Sequence, residues 1–413
     1  MELFRCSPSC GGLYKEPGCE ASSAGLGIAF VFRPMHHTAM NLYIFGWPSC
    51  IGGGSTRLAH LLPLLAGEFK ITMVPPDKQA FADTEWIRAL ARCGIEVEIL
   101  DSLPLRLEGW ALGICNADFL KTGLITARER GLRVVWSNEM MWHFPSELGA
   151  VSLGCFDLVL YVSEIQRQAL EPGYASALLG ARSPVPAGAR EGWIQGGVRR
   201  LRWAVIDNFV DPGSFPFKDR FAESGWETRS LTVGRLSRAD PAKFPEDFPG
   251  FYEGLGLRNP HFRVMGWSES LARRWKDHHF GPDWTLLPEA SESQVTFLHS
   301  LDIFVYSLSG QCRESWGRAV VEAMLTGAVP LVPSGAQHHL RNLIIHGVSG
   351  FLCDGPEDYG RYARLLHEDP ELRKRMSHDA RRDAVERLCN ADTHRADWRR
   401  ALMDGWSSRQ SLA

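Results

Sequence analysis

Two carboxylates eight positions apart, Glu314 and Glu322, bracket the run Ser315-Trp316-Gly317-Arg318, and the stretch goes on to Gly327 and Val329-Pro330-Leu331-Val332. The pattern reads as a loop, a helix over 317–326, a glycine stop and a strand. The first N–H groups of a helix have no partner within it, and together with the helix dipole they make a seat for an anion, above all a diphosphate. Gly317 lets such a ligand come close to the backbone. Glu322 lies two turns on, and helical side chains lean back toward the amino end, so its carboxylate reaches toward the same ligand. Glu314 offers a second carboxylate from the loop. One acid for ribose hydroxyls and one for sugar hydroxyls, flanking a phosphate seat, is chemistry suited to a nucleotide sugar.

These residues need a scaffold, and the flanking sequence supplies two similar ones. Leu42–Phe45, Ile71–Val74, Ile95–Leu100, Ala111–Cys115, Val134–Ser137, Leu158–Ser163 and Trp203–Ile206 read as buried strands. Helical patterns at Ser55–Ala66, Asp83–Cys93 and Asp118–Arg130 alternate with them, the signature of parallel βαβ units. The Ala-, Gly- and Pro-rich stretch Glu171–Gly197 reads as an irregular loop. The theme repeats with strands at Ser230–Val233, Phe262–Met265, Thr285–Leu287, Ile303–Tyr306 and Val329–Val332, and helices at Glu292–Ser300, Gly317–Thr326 and Asp358–His367. Pro370–Leu402 reads as one or two solvent-facing helices. The expected organisation is therefore an α/β chain of two doubly wound, Rossmann-like domains, 40–211 and 229–369. A linker, 212–228, joins them, helices over 370–413 close the chain with packing back across the domains as one option, and a ligand cleft lies between the domains at the carboxyl ends of the strands. Gly52-Gly53-Gly54 follows the first strand and precedes a helix, a place where backbone lies against phosphate or acceptor. The first 39 residues read as a disordered leader, or Met40 as the natural start.

Composition narrows the function. The 413 residues are 45% hydrophobic and 23% charged, enough apolar material for large cores, which excludes a disordered chain. A net charge of −3 provides no global field for nucleic acid. The ten Cys form no paired Cys-x-x-Cys set, so a zinc site is not indicated, and thin spacing of thiols suits a reducing cytoplasm. No apolar run is long enough to span a bilayer. His278-His279 and His338-His339 have no metal-ligand spacing and read as surface.

Glu314, seven residues and Glu322 resemble the hallmark of the retaining glycosyltransferases of family 4, the glycosyl transferases group 1, which have the GT-B fold. Val233-Gly234-Arg235-Leu236-Ser237 resembles the family segment that opens the second domain and is followed by a lysine, here Lys243. Leu301–Ser307 and Gly350-Phe351-Leu352 match strands on either side of the signature. The resemblance implies that Glu314 meets the donor sugar's hydroxyls and Glu322 the ribose. It implies that the amides of Ser315, Trp316, Gly317 and Arg318 meet the pyrophosphate, and that the first domain takes the acceptor and the second the donor; the Arg318 side chain has no part in that pattern and reads as surface. Arg235 and Lys243 would grip the donor phosphates, and Gly52, Gly53 and Gly54 would face the cleft. A histidine usual in the family after the strand ending at Ser137 is missing, leaving Asn138, Glu139 and His143 as candidates for its place. The implied activity is metal-independent, retaining transfer from a UDP- or GDP-sugar with no cofactor. The acceptor would be a sugar, a lipid-linked carrier or a small molecule, with peripheral membrane contact left open. A nucleotide-sugar epimerase and a non-catalytic sugar-nucleotide-binding scaffold are the rival readings.

Overall fold

The computed structural model describes residues 40–49, 53–178, 190–196, 199–226 and 229–404. The leader reading of residues 1–39, the position of Gly52 and most of the stretch between 179 and 189 lie outside the described residues.

The first sheet contains eight strands: β1 (Asn41–Phe45), β2 (Lys70–Val74), β3 (Glu96–Val97), β4 (Trp110–Ile114), β5 (Arg133–Ser137), β6 (Leu158–Tyr161), β7 (Glu191–Gly196) and β8 (Arg199–Val205). Their order is β3-β2-β1-β4-β5-β6-β8-β7, parallel except for the β7–β8 pair. The second sheet contains β9 (Thr232–Leu236), β10 (His261–Trp267), β11 (Trp284–Pro288), β12 (Ile303–Val305), β13 (Val329–Pro333) and β14 (Phe351–Cys353). Their order is β11-β10-β9-β12-β13-β14, all parallel. Each sheet thus reverses direction once, between β1 and β4 and between β9 and β12. In open parallel sheets a ligand crevice forms beyond the carboxyl ends of the strands at that reversal.

The apolar runs explain the strands. β4, β12 and most of β13 are buried at every position, as strands covered by helices on both faces must be. Helix starts follow local capping. Asp83 accepts from the Trp86 amide at 3.2 Å ahead of the helix Thr84–Arg92, and Ser163 from the Gln166 amide at 3.2 Å ahead of Glu164–Ala177.

Three expectations need correction. The stretch read as loop from Glu171 instead completes the helix to Ala177, and after the undescribed residues forms edge strand β7. Trp193-Ile194-Gln195 alternates too briefly to outweigh the surrounding glycines in a sequence reading. β3 is only two residues long, because Leu100–Ser102 turns into a short helix. The helix Ala391–Arg399 does not simply face solvent. Trp398 and Leu402 are fully buried in an apolar cluster that runs from Leu42 and Ile44 of β1 to Val320 and Met324 of the second domain. Trp110 donates to the Leu402 carbonyl at 3.1 Å and Arg202 to that of Ala401 at 2.7 Å. The chain therefore passes back from the second domain to the first. The 212–228 segment is also built into the core at Arg220, whose guanidinium donates to the carbonyls of Leu298 (2.7 Å) and Thr326 (3.1 Å).

Among the described residues, no helix is long and apolar enough to cross a membrane, and no cluster of three or more His, Cys, Asp or Glu has metal-binding geometry.

Candidate active site

The helix Arg318–Thr326 stands behind the carboxyl end of β12, close to the reversal of the second sheet. Gly317 precedes it with φ +105° and ψ 47°, a left-handed conformation that side chains resist. A Cβ there would also run into Leu340, so the glycine serves packing as well as any approach by a ligand. Gly327, at φ +89°, ends the helix.

Just ahead of this helix, Glu314 forms an ion pair with Lys243 and accepts a hydrogen bond from the Tyr306 hydroxyl at 2.9 Å; both donors meet the same oxygen, Oε2. The Lys243 ammonium also lies 3.4 Å from the Tyr306 hydroxyl. The Glu314 amide donates to His338 Nδ1 at 3.2 Å, and its carbonyl accepts from the His339 amide at 3.2 Å. Burial pushes the Glu314 carboxyl up, but Lys243 and the Tyr306 hydrogen bond outweigh it and hold the group below the usual carboxylate range. Burial alone would favour a neutral Lys243; Glu314 reverses this and raises its pKa. The result is a fixed cation beside a fixed anion, at the head of a helix.

Arg235 stands differently from expectation. Its side chain is wholly buried, with Nη1 donating to the Ser307 carbonyl (2.8 Å) and Nη2 to that of Lys243 (2.7 Å). Its guanidinium carbon lies 4.3 Å from the Phe244 ring centroid and 5.4 Å from that of Tyr306. Nη1 and Nη2 thus brace the loop that carries Lys243, while Nε has no hydrogen-bond partner among the described residues. Glu322 is buried and pairs with Arg318, Nε to Oε1, at 2.7 Å. Burial raises its pKa, with Arg318 opposing. Arg318 is thus a partner of Glu322 and not a free surface side chain.

His338 and His339, read as surface, are buried, and burial lowers the pKa of each. His338 supports the Glu314 main chain. Among the described residues, Tyr306 and His338 are the site members that sequence reasoning overlooked. Tyr306 was legible as a polar-tipped residue at the carboxyl end of a strand beside the sheet reversal; His338 left no such signal.

Across the cleft, the first domain meets this loop directly. Ser315 Oγ donates to the Glu139 carbonyl at 2.9 Å, and Ser163 Oγ donates to the Ser315 carbonyl at 2.6 Å. Glu139 has φ +68°, a left-handed position for a residue with a side chain. Its carboxylate takes the Ser137 hydroxyl at 2.5 Å and pairs with Arg57, a buried arginine of the helix Gly53–Leu65. Gly53 and Gly54 form the first turn of that helix, and a Cβ at Gly54 would stand 3.0 Å from Cys115 Cβ beyond the end of β4.

Asn138 and His143 do not join the site. Asn138 Nδ2 donates to Glu147 (2.7 Å) and to the Trp142 carbonyl (3.0 Å). His143 packs edge-on against Tyr174, with Nδ1 3.8 Å from Glu147. Of the three candidates for the missing histidine, only Glu139 borders the signature loop. A separate cavity of about 450 Å³ touches Trp316, His339, His394, Arg190, Asp207 and Asp397, but its walls include none of Lys243, Tyr306 and Glu314.

Comparison with known proteins bears on the fold. Residues 221–383 match the family model of the glycosyl transferases group 1. No curated protein matches the chain. Among solved structures, Anabaena Alr3699/HepE in complex with UDP-glucose is similar at a TM-score of 0.59 and 15% identity, over 90% of this chain and 100% of that one. A glycosyltransferase from Rickettsia africae gives 0.60 and 10%, over 88% and 99%. Sucrose-phosphate synthase from Thermosynechococcus elongatus gives 0.58 and 12%, over 90% and 99%. At such low identity these neighbours establish the GT-B fold.

Proposed function

We propose that this chain, whose residues 221–383 are a glycosyl transferases group 1 domain within a GT-B fold, transfers a sugar from a nucleotide diphosphate sugar to an acceptor. The observation that carries the reading is the Lys243–Glu314–Tyr306 group at the head of the helix Arg318–Thr326. The donor's diphosphate would meet the first helical amides and Lys243, and its sugar hydroxyls Glu314. Glu322, freed from Arg318, would take the ribose. The neighbour with UDP-glucose supports a UDP-linked donor, with GDP as the alternative base.

The reaction proposed is transfer with retention. The bond from the anomeric carbon to the phosphate oxygen breaks as the acceptor oxygen bonds to that carbon on the same face. The acceptor proton passes to the departing phosphate oxygen. Orientation and charge stabilisation of the leaving diphosphate supply the rate enhancement. The sequence contains no Asp-x-Asp motif, which supports a metal-independent reaction. The acceptor would be a sugar, lipid-linked or small-molecule hydroxyl reached from the first domain, in glycan, polysaccharide or natural-product synthesis in the cytoplasm.

Thermal-shift titration of the full chain with UDP, GDP and ADP, with and without EDTA, tests the donor reading. A ligand that binds the folded state raises the melting temperature by mass action. One nucleotide should stabilise the protein equally well with chelator present. No shift with any of them would defeat the proposal. Anomeric proton NMR of the product decides retention.

A further inference from the structure

The candidate donor site is internally neutralised, and a ligand phosphate that engages Lys243 must take it from Glu314. What then holds Glu314? Lys243 and Tyr306 both bond Oε2, so when the ammonium turns away the phenol remains as the donor on that oxygen. The ring cannot swing with the lysine. It is packed between Phe304, at 5.7 Å between ring centroids, and the buried Arg235 guanidinium. Arg235 in turn bridges the carbonyls of Ser307, next to Tyr306, and Lys243. Ser309 Oγ fixes the neighbouring Ala242 carbonyl at 2.7 Å.

We infer that Tyr306 is a positioning residue of the candidate donor site, its hydroxyl holding the Glu314 carboxylate toward the donor sugar while Lys243 is transferred to the phosphates. This rests on the donor reading above and names the residue that makes the exchange possible.

The test separates sugar from nucleotide. Binding of UDP and of UDP-glucose is measured by calorimetry over a pH series for the full-length wild type and Tyr306→Phe, with GDP and GDP-mannose as the second pair. The substitution keeps the ring and removes only the hydroxyl. Nucleotide affinity should stay within about twofold, whereas the added affinity due to the sugar should drop by about tenfold, the usual worth of a hydrogen bond to a charged group. Removing that bond also removes a contribution that favours ionised Glu314. The acid limb of sugar-dependent binding should therefore move to higher pH. The charged and titratable groups facing this carboxylate are Lys243, Arg238, Tyr306, Cys312 and His338, and Tyr306 alone changes.

Equal losses for nucleotide and nucleotide sugar would mean damaged packing, and an unchanged sugar increment and pH profile would mean an idle hydroxyl; either overturns the inference. If the wild type binds neither nucleotide, the donor reading falls and this inference with it.

Discussion

Glu147 in the first domain and Glu314 in the second are both acids tucked behind the carboxyl end of a parallel strand, yet they are satisfied in opposite ways. Glu147 is fully buried and accepts hydrogen bonds from Trp136 Nε1 (2.8 Å), Asn138 Nδ2 (2.7 Å), the Phe144 amide (2.8 Å) and the Tyr174 hydroxyl. Burial pushes its pKa up, and the neighbouring His143 together with hydrogen bonds from Tyr174, Asn138 and Phe144 overcomes that and leaves it lowered. Its partners are mostly neutral groups locked into the core, so nothing can displace them. Glu314 instead leans on a cation from a neighbouring loop, at the edge of the cleft and 13% exposed. Neutral, enclosed donors make an acid a structural hub. A charged partner at a cleft makes it a group that a ligand can release.

The largest effect expected from this contrast is on stability. Glu147→Ala would leave several buried donors without an acceptor, at about 1–3 kcal/mol for each unsatisfied group. A loss of about 3 kcal/mol or more should appear in urea unfolding, and a loss under about 1 kcal/mol would remove Glu147 from its role as hub. Glu314→Gln should show the opposite profile. Transfer, or donor hydrolysis in the absence of acceptor, should fall by about a hundredfold, as when a charge-stabilising group is removed from an active site. The loss of unfolding free energy should be smaller than for Glu147→Ala, on the order of 1–2 kcal/mol, since Gln keeps an acceptor for Tyr306 but leaves Lys243, only 14% exposed, without its counter-charge.

Lys243→Met sharpens the electrostatic half of the comparison. A carboxyl held below its unfolded value of about 4.3 contributes stability above that pH and loses it as pH falls through the lowered value. Without Lys243 the burial effect on Glu314 is no longer outweighed, so protonation should begin at higher pH. The acid limb of donor binding should move upward accordingly, and an unmoved limb would show that the pair is not what sets it. The smallest effect belongs to His143→Phe, which keeps an aromatic ring against Tyr174. Turnover should stay within about twofold, because the imidazole is not in the cleft; a loss comparable to that of Glu314→Gln would put His143 back in the mechanism.

Much of this fold was legible because buried parallel strands are continuous apolar runs. Leu42–Phe45, Val134–Ser137 and Val329–Val332 announce themselves in that way. The helix Ala391–Arg399 did not, since its charges outnumber its apolar residues and one tryptophan carries much of its burial. At the site, spacing brought out Glu314 and Glu322, and the family resemblance Lys243, because residue type and place in a βα loop carry chemical meaning. It could not tell that Arg235 turns inward. The same arginine, at the end of the same strand, can face a ligand or a carbonyl, and the packing of Phe244 and Tyr306 decides which. Nor could it separate Asn138 from Glu139, neighbours whose side chains turn to different partners within the first domain, one to Glu147 and the other to Arg57, while only the Glu139 carbonyl meets Ser315 of the second.

The return of residues 391–404 to the first domain has a consequence for how the protein is made. Trp398 and Leu402 complete a core begun at Leu42, and Arg399 pairs with Glu68 across a gap of 331 residues. On the ribosome, the first domain must therefore wait, its side facing the helix Gly53–Leu65 uncovered, while the whole second domain emerges. Domain-by-domain folding in order of synthesis cannot finish the first unit before the second. A nascent chain stalled before residue 391 should hold a finished second sheet beside an unfinished first one, exposed to chaperones until the closing helix arrives.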